Sequence, residues 1–343
     1  MVILKNEAGD KAPKPLKVSS GNASVVEQHL LSIVITSYTT ERMRDIYELL
    51  DSIKMQSYTA VETIFVAEQT KELLDKVNHY AGRKHIPNLK VLFNNGEPGL
   101  SEARNVGIKE AKGDIVAFVD DDVVLFPEWA EEMVKPYDDD SVIGVTGPAF
   151  PLWEDESMSW FPEEFYWIIS CTAWSGWNEV REVRNAWGMN MSFRAETFQT
   201  CGAFLNEFGF HKGPMAEDNE FSLRVRAKTG KNIVYCPNIK LWHRVHKYRL
   251  SQQFIKERSY WIGHSRRMMK KSLLKGERDK GYLLGQEHQL LKRIFTRLFP
   301  SLLRSSFTSP ILAWRKFRVT VTALAFVTLG YYSHLLPESF NRR

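Results

Sequence analysis

The stretch Gly99–Phe126 reads GLSEARNVGIKEAKGDIVAFVDDDVVLF, and the fold follows from how its two halves join. The second half holds Ile115–Val119, an apolar, β-branched run behind the turn signal Gly113-Asp114, which is the pattern of a strand covered on both faces. Asp120, Asp121 and Asp122 appear where that strand ends. In extended backbone Asp120 and Asp122 point to the same side, with α-carbons about 6.6 Å apart. At an effective dielectric of about 20 two such charges repel by roughly 2.5 kcal/mol. No Lys or Arg between Asp114 and Lys135 offsets this locally. The cluster is therefore expected either to keep a proton or to hold a cation. Hard, closely spaced oxygens suit Mg²⁺ or Mn²⁺ better than zinc. An acidic turn that caps the following helix is the competing reading.

The first half supplies context for the carboxylates. Ser101 can cap a helix, and Ala103, Gly107 and Ala111 recur every four residues, a narrow face that lets the helix lie close to a strand. Arg104 sits in the first turn. A cation beside a helix N-terminus and an arginine suits a metal-bound phosphate.

Upstream, the pattern predicts strands at Leu31–Ile35, Glu62–Ala67 and Leu89–Phe93 and a helix at Arg42–Ser57. Strands alternating with helices over this length imply a largely parallel sheet, whose sites open at the strands' carboxyl ends. Asp120–Asp122 lie at one such end. No glycine-rich turn follows the first strand, which argues against a dinucleotide fold or a P-loop. Met1–Gln28 is polar and reads as a mobile leader without the apolar centre of a secretory signal.

Composition divides the 343 residues unevenly. The net charge is +5, yet Lys247–Arg318 carries 18 Lys and Arg against 4 Asp and Glu, leaving residues 1–246 at about −10. The basic part should face an anionic partner, and with apolar sequence adjoining it we favour a membrane surface over nucleic acid. Phe254, Trp261, Met268 and Met269 alternate there with Lys256, Arg258, Arg266, Arg267, Lys270 and Lys271, as in a helix lying in a membrane interface. Val319–Pro337 is 19 residues without a charged side chain. It is read as a marginal transmembrane helix or an anchor in one leaflet, or as a helix packed on the catalytic domain or on a partner. Cys171, Cys201 and Cys236 are widely spaced and odd in number, so neither a disulfide framework nor a zinc site is indicated, and the setting is expected to be reducing. Six of the ten tryptophans (Trp153, Trp160, Trp167, Trp174, Trp177 and Trp187) fall between residues 153 and 187, where aromatic faces can stack on sugar, rest at a membrane interface or simply pack.

GLSEARN, GDIVAFVDDD, GMNMSFR and AEDNEFSLR, in this order and spacing, resemble the nucleotide-sugar-dependent glycosyltransferases of family 2 over roughly Leu31–His246. FPEEFYW, EVRNAWGMNMSFR and His243–Met269 look most like the subgroup that extends lipid-linked glycans on dolichyl phosphate, typified by archaeal glucosyl-dolichyl-phosphate glucuronosyltransferases. The resemblance implies an α/β GT-A (Rossmann-like) fold, a mostly parallel sheet flanked by helices. The expected division is a leader (1–28), a catalytic domain (29–246) and a C-terminal helical, membrane-associating appendage (247–343).

It also implies a metal-dependent, inverting transfer of a sugar, glucuronate in that subgroup, from a nucleoside diphosphate such as UDP to a lipid-linked glycan. The site would lie at the cytoplasmic face of the cell membrane. Thr36, Tyr38, Glu68, Arg104, Asp120, Asp121 and Asn190 would bind the donor, with Asp122 and His243 on the metal. Trp187, Gly188 and Glu217 would border the acceptor, and Asp218 would be the general base that takes the acceptor's proton. Asp218 by residue type alone would be a helix cap. The loop Gly209–Met215, with two glycines and a proline, could close over a ligand. Glu68 stands where the family usually has Asp, which opens the identity of the base. Gln253 is followed three residues later by Lys256, so the processive QxxRW signature is absent and single addition is expected. A nucleotidyltransferase and a non-catalytic membrane adaptor are the rival classes. The first lacks a glycine-rich basic loop in Ile33–Thr40, and the second leaves the spaced carboxylates unexplained.

Overall fold

The computed structural model describes residues 28–86, 88–173, 176–208, 216–273 and 290–335. The leader up to residue 27, the loop Gly209–Met215, Trp174 and the side chains of Lys270 and Lys271 lie outside the described residues. Strands and helices alternate first: β1 (Leu31–Ser37), α1 (Met43–Lys54), β2 (Val61–Ala67), α2 (Lys71–Lys84), β3 (Leu89–Phe93), α3 (Leu100–Glu110) and β4 (Ile115–Asp120). There follow β5 (Val123–Leu125), α4 (Trp129–Val134), β6 (Val142–Thr146), β7 (Ala149–Trp153), β8 (Arg181–Val183), β9 (Asn190–Arg194), α5 (Glu196–Cys201), α6 (Glu217–Thr229), β10 (Asn232–Tyr235) and β11 (Leu241–Val245). The C-terminal part is helical, with α7 (Gln252–Leu273), α8 (Phe299–Thr308) and α9 (Pro310–Tyr331).

Eight strands form one sheet in the order β3-β2-β1-β4-β9-β6-β10-β8. The pairs β3–β2, β2–β1, β1–β4 and β6–β10 are parallel, whereas β9 runs antiparallel to β4 and β6, and β8 antiparallel to β10. This is the mostly parallel α/β sheet expected. Alternation along the strands builds a core on each face. Ile33 and Ile35 of β1 and Val119 of β4 join Leu49, Leu50, Phe65 and Trp129 on one side. Val34, Val116 and Phe118 join Met191, Phe193 and Phe221 on the other.

Helix α3 lies on β1 as its small residues foretold. A Cβ on Gly107 would come 2.4 Å from a methyl of Val34, so only glycine permits this approach. Its start differs from expectation. Gly99, at φ 153°, precedes the first turn, and the Ser101 hydroxyl is buried without a hydrogen-bond partner among the described residues, so Ser101 does not cap.

A second sheet, β5-β11-β7, is set by the chain leaving the carboxylates. β11 runs antiparallel to β5 with His243 opposite Val123, and parallel to β7 with His243 opposite Pro151. Three of the tryptophans, Trp153, Trp160 and Trp167, pack around Phe161, Phe165 and Ile168 with Val245, Ile255, Ile294, Leu298 and Val319.

The C-terminal reading needs correction in two places. Among the described residues no helix is long and apolar enough to cross a membrane. Most of the uncharged run forms the second half of α9, and Val319, Thr320, Ala323 and Gly330 are buried there. The seam with α7 is backbone against backbone: a Cβ on Gly263 would fall 2.0 Å from the Val327 carbonyl oxygen, and one on Gly330 1.9 Å from that of Tyr260. The described part of this run packs on α7, within the C-terminal part itself. The expected membrane-facing side chains of α7 also turn inward. Phe254 packs on the third core and Met269 is buried beside Phe208 and Leu223.

Candidate active site

At the carboxyl end of β4 the chain must leave the sheet, and three consecutive aspartates occupy that exit. Asp121 and Asp122 turn the chain out of β4 and do not continue the extended backbone; Asp120 and Asp122 both approach His243, and Asp121 is held by Ser37 and Arg42. His243 is brought to Asp120 and Asp122 because β11 hydrogen-bonds alongside β5, and the Arg244 amide donates to the Asp122 carbonyl at 2.8 Å. His243 Nε2 lies 3.6 Å from Asp120 Oδ2 and 3.3 Å from Asp122 Oδ1. One donor atom from each of the three residues falls within 4.8 Å of the others. Among the described residues neither ring nitrogen of His243 nor Oδ1 of Asp122 has a hydrogen-bond partner, although all are buried. Unpaired donor atoms in the interior are costly. Two carboxylates and an imidazole with this spacing fit a divalent cation.

Two arginines complete the cluster, and the sequence did not single out either for it. Arg249 Nη2 donates to Asp122 Oδ2 at 2.7 Å and Nη1 to the Ile169 carbonyl at 3.2 Å. Arg42 Nη1 donates to Asp121 Oδ1 at 3.0 Å and approaches Asp122 Oδ2 at 3.5 Å, while Nη2 donates to the Tyr248 hydroxyl at 3.0 Å. Ser37 Oγ donates to Asp121 Oδ2 at 2.5 Å. Burial works against ionisation of Asp122, yet His243, Arg249, Arg42 and His246 outweigh it and hold its carboxyl down to about 2. At Asp121 burial and the neighbouring Asp122 prevail over Arg42 and Ser37 and push the carboxyl up to about 6. Asp120 is held below the usual range, since His243 and Arg104 outweigh its burial. Arg42 and Arg249 stay charged because Asp121 and Asp122 more than offset their burial. The electrostatics thus separate the aspartates: Asp121 is the easiest to protonate, and Asp120 and Asp122 stay ionised.

A pocket opens here between Thr36, Tyr38, Arg42, Glu68, Leu100, Asp120–Asp122 and Arg249. Thr36 stands opposite Asp120 in the β1–β4 register. Tyr38 is 39% exposed and has the Arg42 guanidinium 5.8 Å from its ring centroid. Glu68 is no exposed strand-end residue. It is buried, and its carboxylate accepts from Asn94 Nδ2 and the Gly99 amide, both at 3.3 Å, tying the loop before α3 to the pocket wall.

Asp218 belongs to an adjoining group. Its Oδ2 accepts from the Gly188 amide at 2.9 Å and its Oδ1 from the Asn219 amide at 2.7 Å. Arg104 links this group to the aspartates: it donates to Glu217 Oε1 at 2.7 Å and to the Gly188 carbonyl at 3.2 Å, and lies 3.6 Å from Asp120 Oδ1. A Cβ on Gly188 would sit 3.1 Å from Arg104 Nη2. Burial and Asp218 raise the Glu217 carboxyl against the opposing pull of Arg104.

Two expected ligand-facing side chains, Arg104 and Asn190, are turned into protein, and the half-buried Trp187 keeps one side on other rings. Arg104 is 3% exposed and its hydrogen bonds go to Glu217 and the Gly188 carbonyl, so it braces the site through protein groups. Asn190 is 0% exposed, and its amide accepts from Trp129 Nε1 at 2.9 Å and donates to the Ile239 carbonyl at 2.9 Å. It fastens β9 to the second sheet and does not face the pocket. Trp187 packs with Trp177 and Tyr235, at centroid distances of 6.2 and 5.8 Å.

Residues 32–200 match the family model described as glycosyl transferase family 2. Over 243 residues the chain is 30% identical to the glucosyl-dolichyl phosphate glucuronosyltransferase of Haloferax volcanii, covering 70% of this chain and 77% of that protein. The chain belongs to glycosyltransferase family 2. Family membership makes it a transferase enzyme and sets aside the nucleotidyltransferase and adaptor readings. The fold agrees with this family 2 assignment and is GT-A. The Pyrobaculum calidifontis mannosyltransferase PcManGT, in complex with GDP-Man and Mn²⁺, aligns over 90% of this chain and 88% of its own, with a TM-score of 0.62 at 16% identity. GalNAc-T7 with UDP, GalNAc and Mn²⁺ aligns over 78% of this chain and 54% of its own, with a TM-score of 0.51 at 15% identity.

Proposed function

We propose that this family 2 enzyme transfers a sugar, glucuronate in the first instance, from a UDP-sugar to a glycan carried on a dolichyl or polyprenyl phosphate, with inversion at the anomeric carbon. The relative from Haloferax volcanii supports the lipid phosphate and the glucuronate by its name. The complexes of PcManGT and GalNAc-T7 support a nucleotide sugar and Mn²⁺. The observation that carries the reading is the buried Asp120–Asp122–His243 group beside Arg42 and Arg249.

Asp122 and His243 would hold Mn²⁺ or Mg²⁺, with Asp120 shared between the ion and the ribose. When bound, the cation neutralises charge on the departing diphosphate. Arg42 and Arg249 pair with Asp121 and with the other oxygen of Asp122 at the pocket wall, and guanidinium donors placed there suit a phosphate. Thr36, Tyr38 and Glu68 line the space for the nucleoside. Asp218 takes the proton from the acceptor hydroxyl as the new bond forms on the face opposite the leaving group, so one displacement inverts the centre. Gly188 and Asn219 hold that carboxylate in orientation. The enzyme would act at the cytoplasmic face of the membrane that carries its acceptor; residues 29–246 would carry catalysis together with Tyr248 and Arg249, and the rest of 247–343 would serve lipid attachment.

The test is metal-dependent release of nucleoside diphosphate from a donor panel, with mass spectrometry of the lipid-linked glycans formed. A glycan one hexuronate heavier, made only from UDP-glucuronate with Mn²⁺ or Mg²⁺, is expected. Transfer that persists after chelation, or to water alone with every lipid acceptor, would overturn the reading.

A further inference from the structure

Phe307 is 90% exposed, Ile311 72%, Leu303 69%, Phe295 66% and Trp314 60%, and all five lie within 20 residues at the start of the C-terminal helical pair. Exposed aromatic and branched side chains in such density are rare on a soluble surface. On α9 the exposed residues Ile311, Trp314, Arg318 and Val321 recur at three- and four-residue steps, whereas Ala313, Thr320 and Ala323 on the other side are buried. Leu303 and Phe307 stand one turn apart on α8, with Leu302 buried beside them. On α9 the apolar residues therefore lie on the side turned away from the protein, and on α8 Leu303 and Phe307 stand clear of it too.

Charge identifies what covers it. Between Leu290 and Leu335 there are seven basic residues (Lys292, Arg293, Arg297, Arg304, Arg315, Lys316 and Arg318) and no Asp or Glu. Arg297, Arg304 and Arg318 are exposed among the apolar side chains. Trp314 stacks on Phe317 at 5.8 Å, a pair suited to the headgroup level of a bilayer. A second copy of the chain would bring seven like charges against seven. Nucleic acid would leave the phenylalanines in water.

We propose that α8 and the first half of α9 rest in the interfacial layer of an anionic bilayer, with Phe307, Ile311 and Trp314 entering the acyl boundary and the arginines on lipid phosphates. The helix pair lies on the membrane and does not cross it. The proposal locates the lipid surface of the reading above on a face other than the basic helix α7, and rests on that reading only for the kind of partner.

The test uses the full chain and vesicles of phosphatidylcholine with or without phosphatidylglycerol, free of donor and acceptor, so docking is measured whether or not sugar transfer occurs. Wild type should float with anionic vesicles and much less with neutral ones. The variant Phe307→Ser/Ile311→Ser/Trp314→Ser should bind at least about tenfold more weakly, since removing only about 1.4 kcal/mol of apolar insertion suffices for that factor. Arg297→Gln/Arg304→Gln/Arg318→Gln should lose binding by at least about tenfold as well, and Met55→Ser, a change at another exposed apolar residue, should lose none. Brominated lipid should quench wild-type fluorescence more than that of Trp314→Phe, a readout that stands if the triple serine variant fails to fold. Equal flotation of wild type with both vesicle types, undiminished binding of the folded serine variant, or its conversion of a dimer to a monomer without change in flotation would each overturn the proposal.

Discussion

Arg249 donates a 2.7 Å hydrogen bond to Asp122 across 127 residues of sequence. The arginine therefore sits against the carboxylate that faces His243 on its other oxygen, and neutralises it from the side away from the proposed ion.

Both side chains are buried, so removing the arginine strands a carboxylate. Arg249→Met should destabilise the metal-free protein by about 3 kcal/mol, the usual cost of breaking a buried ion pair. Chemical denaturation with chelator present measures it, and an unchanged midpoint would contradict the pairing. With metal and donor the same variant should raise KM for the nucleotide sugar.

Asp218→Asn should lower kcat by at least about 10²-fold while leaving donor affinity within about twofold, because the proposed base acts only on the acceptor. Asp122→Asn should instead abolish metal-dependent tightening of nucleotide binding. Calorimetry of nucleoside diphosphate with and without Mn²⁺ separates the two. Equal loss of nucleotide binding in both variants would remove the distinction in roles.

Asp121 gives a pH signature. Its carboxyl is pushed up to about 6 by burial and Asp122, from an ordinary value near about 3.9. Between those values the folded protein binds more protons than the unfolded chain, so this residue's contribution to stability declines as pH rises through the window. Thermal melts of metal-free wild type and Asp121→Asn should show wild type losing ground from about pH 4 to 6, then a constant gap. Asp122, held down to about 2, acts with the opposite sign: its stabilisation persists above the ordinary range and fades as pH falls toward 2.

Gly330→Val should shift α9 off α7, since its Cβ would start 1.9 Å from the Tyr260 carbonyl oxygen. A loss of about 1–3 kcal/mol is expected for overpacking, visible as earlier cleavage of the C-terminal helices in limited proteolysis. An unaltered digestion pattern would show that the seam is not tight.

Local pattern disclosed the elements whose causes are local. Strand β3 has the bounds that the apolar run marked, the carboxylates stand at the end of β4, and Gly107 meets Val34 as the small-residue face required. The counter-cations were hidden because Arg42 and Arg249 reach Asp121 and Asp122 only through tertiary packing, and the basic segment holding Arg249 read as a lipid-facing stretch. Asn190 and Arg104 sit among site residues in sequence, but whether a polar side chain faces ligand or protein depends on partners such as Trp129 and Glu217 that spacing does not reveal. The uncharged tail was ambiguous because an apolar helix suits lipid and a protein seam equally well. Gly263 and Gly330 were the available clue, since paired glycines allow two backbones to touch.

Because His243 belongs to the small sheet and Asp120 to the large one, the gap between the two would act as a caliper for the radius of a bound ion. Its jaws are fixed where the Arg244 amide clasps the Asp122 carbonyl. The link between β4 and β5 is Asp121-Asp122 itself, so one residue inserted there would carry a jaw away and forfeit the grip on any ion, the larger Ca²⁺ included.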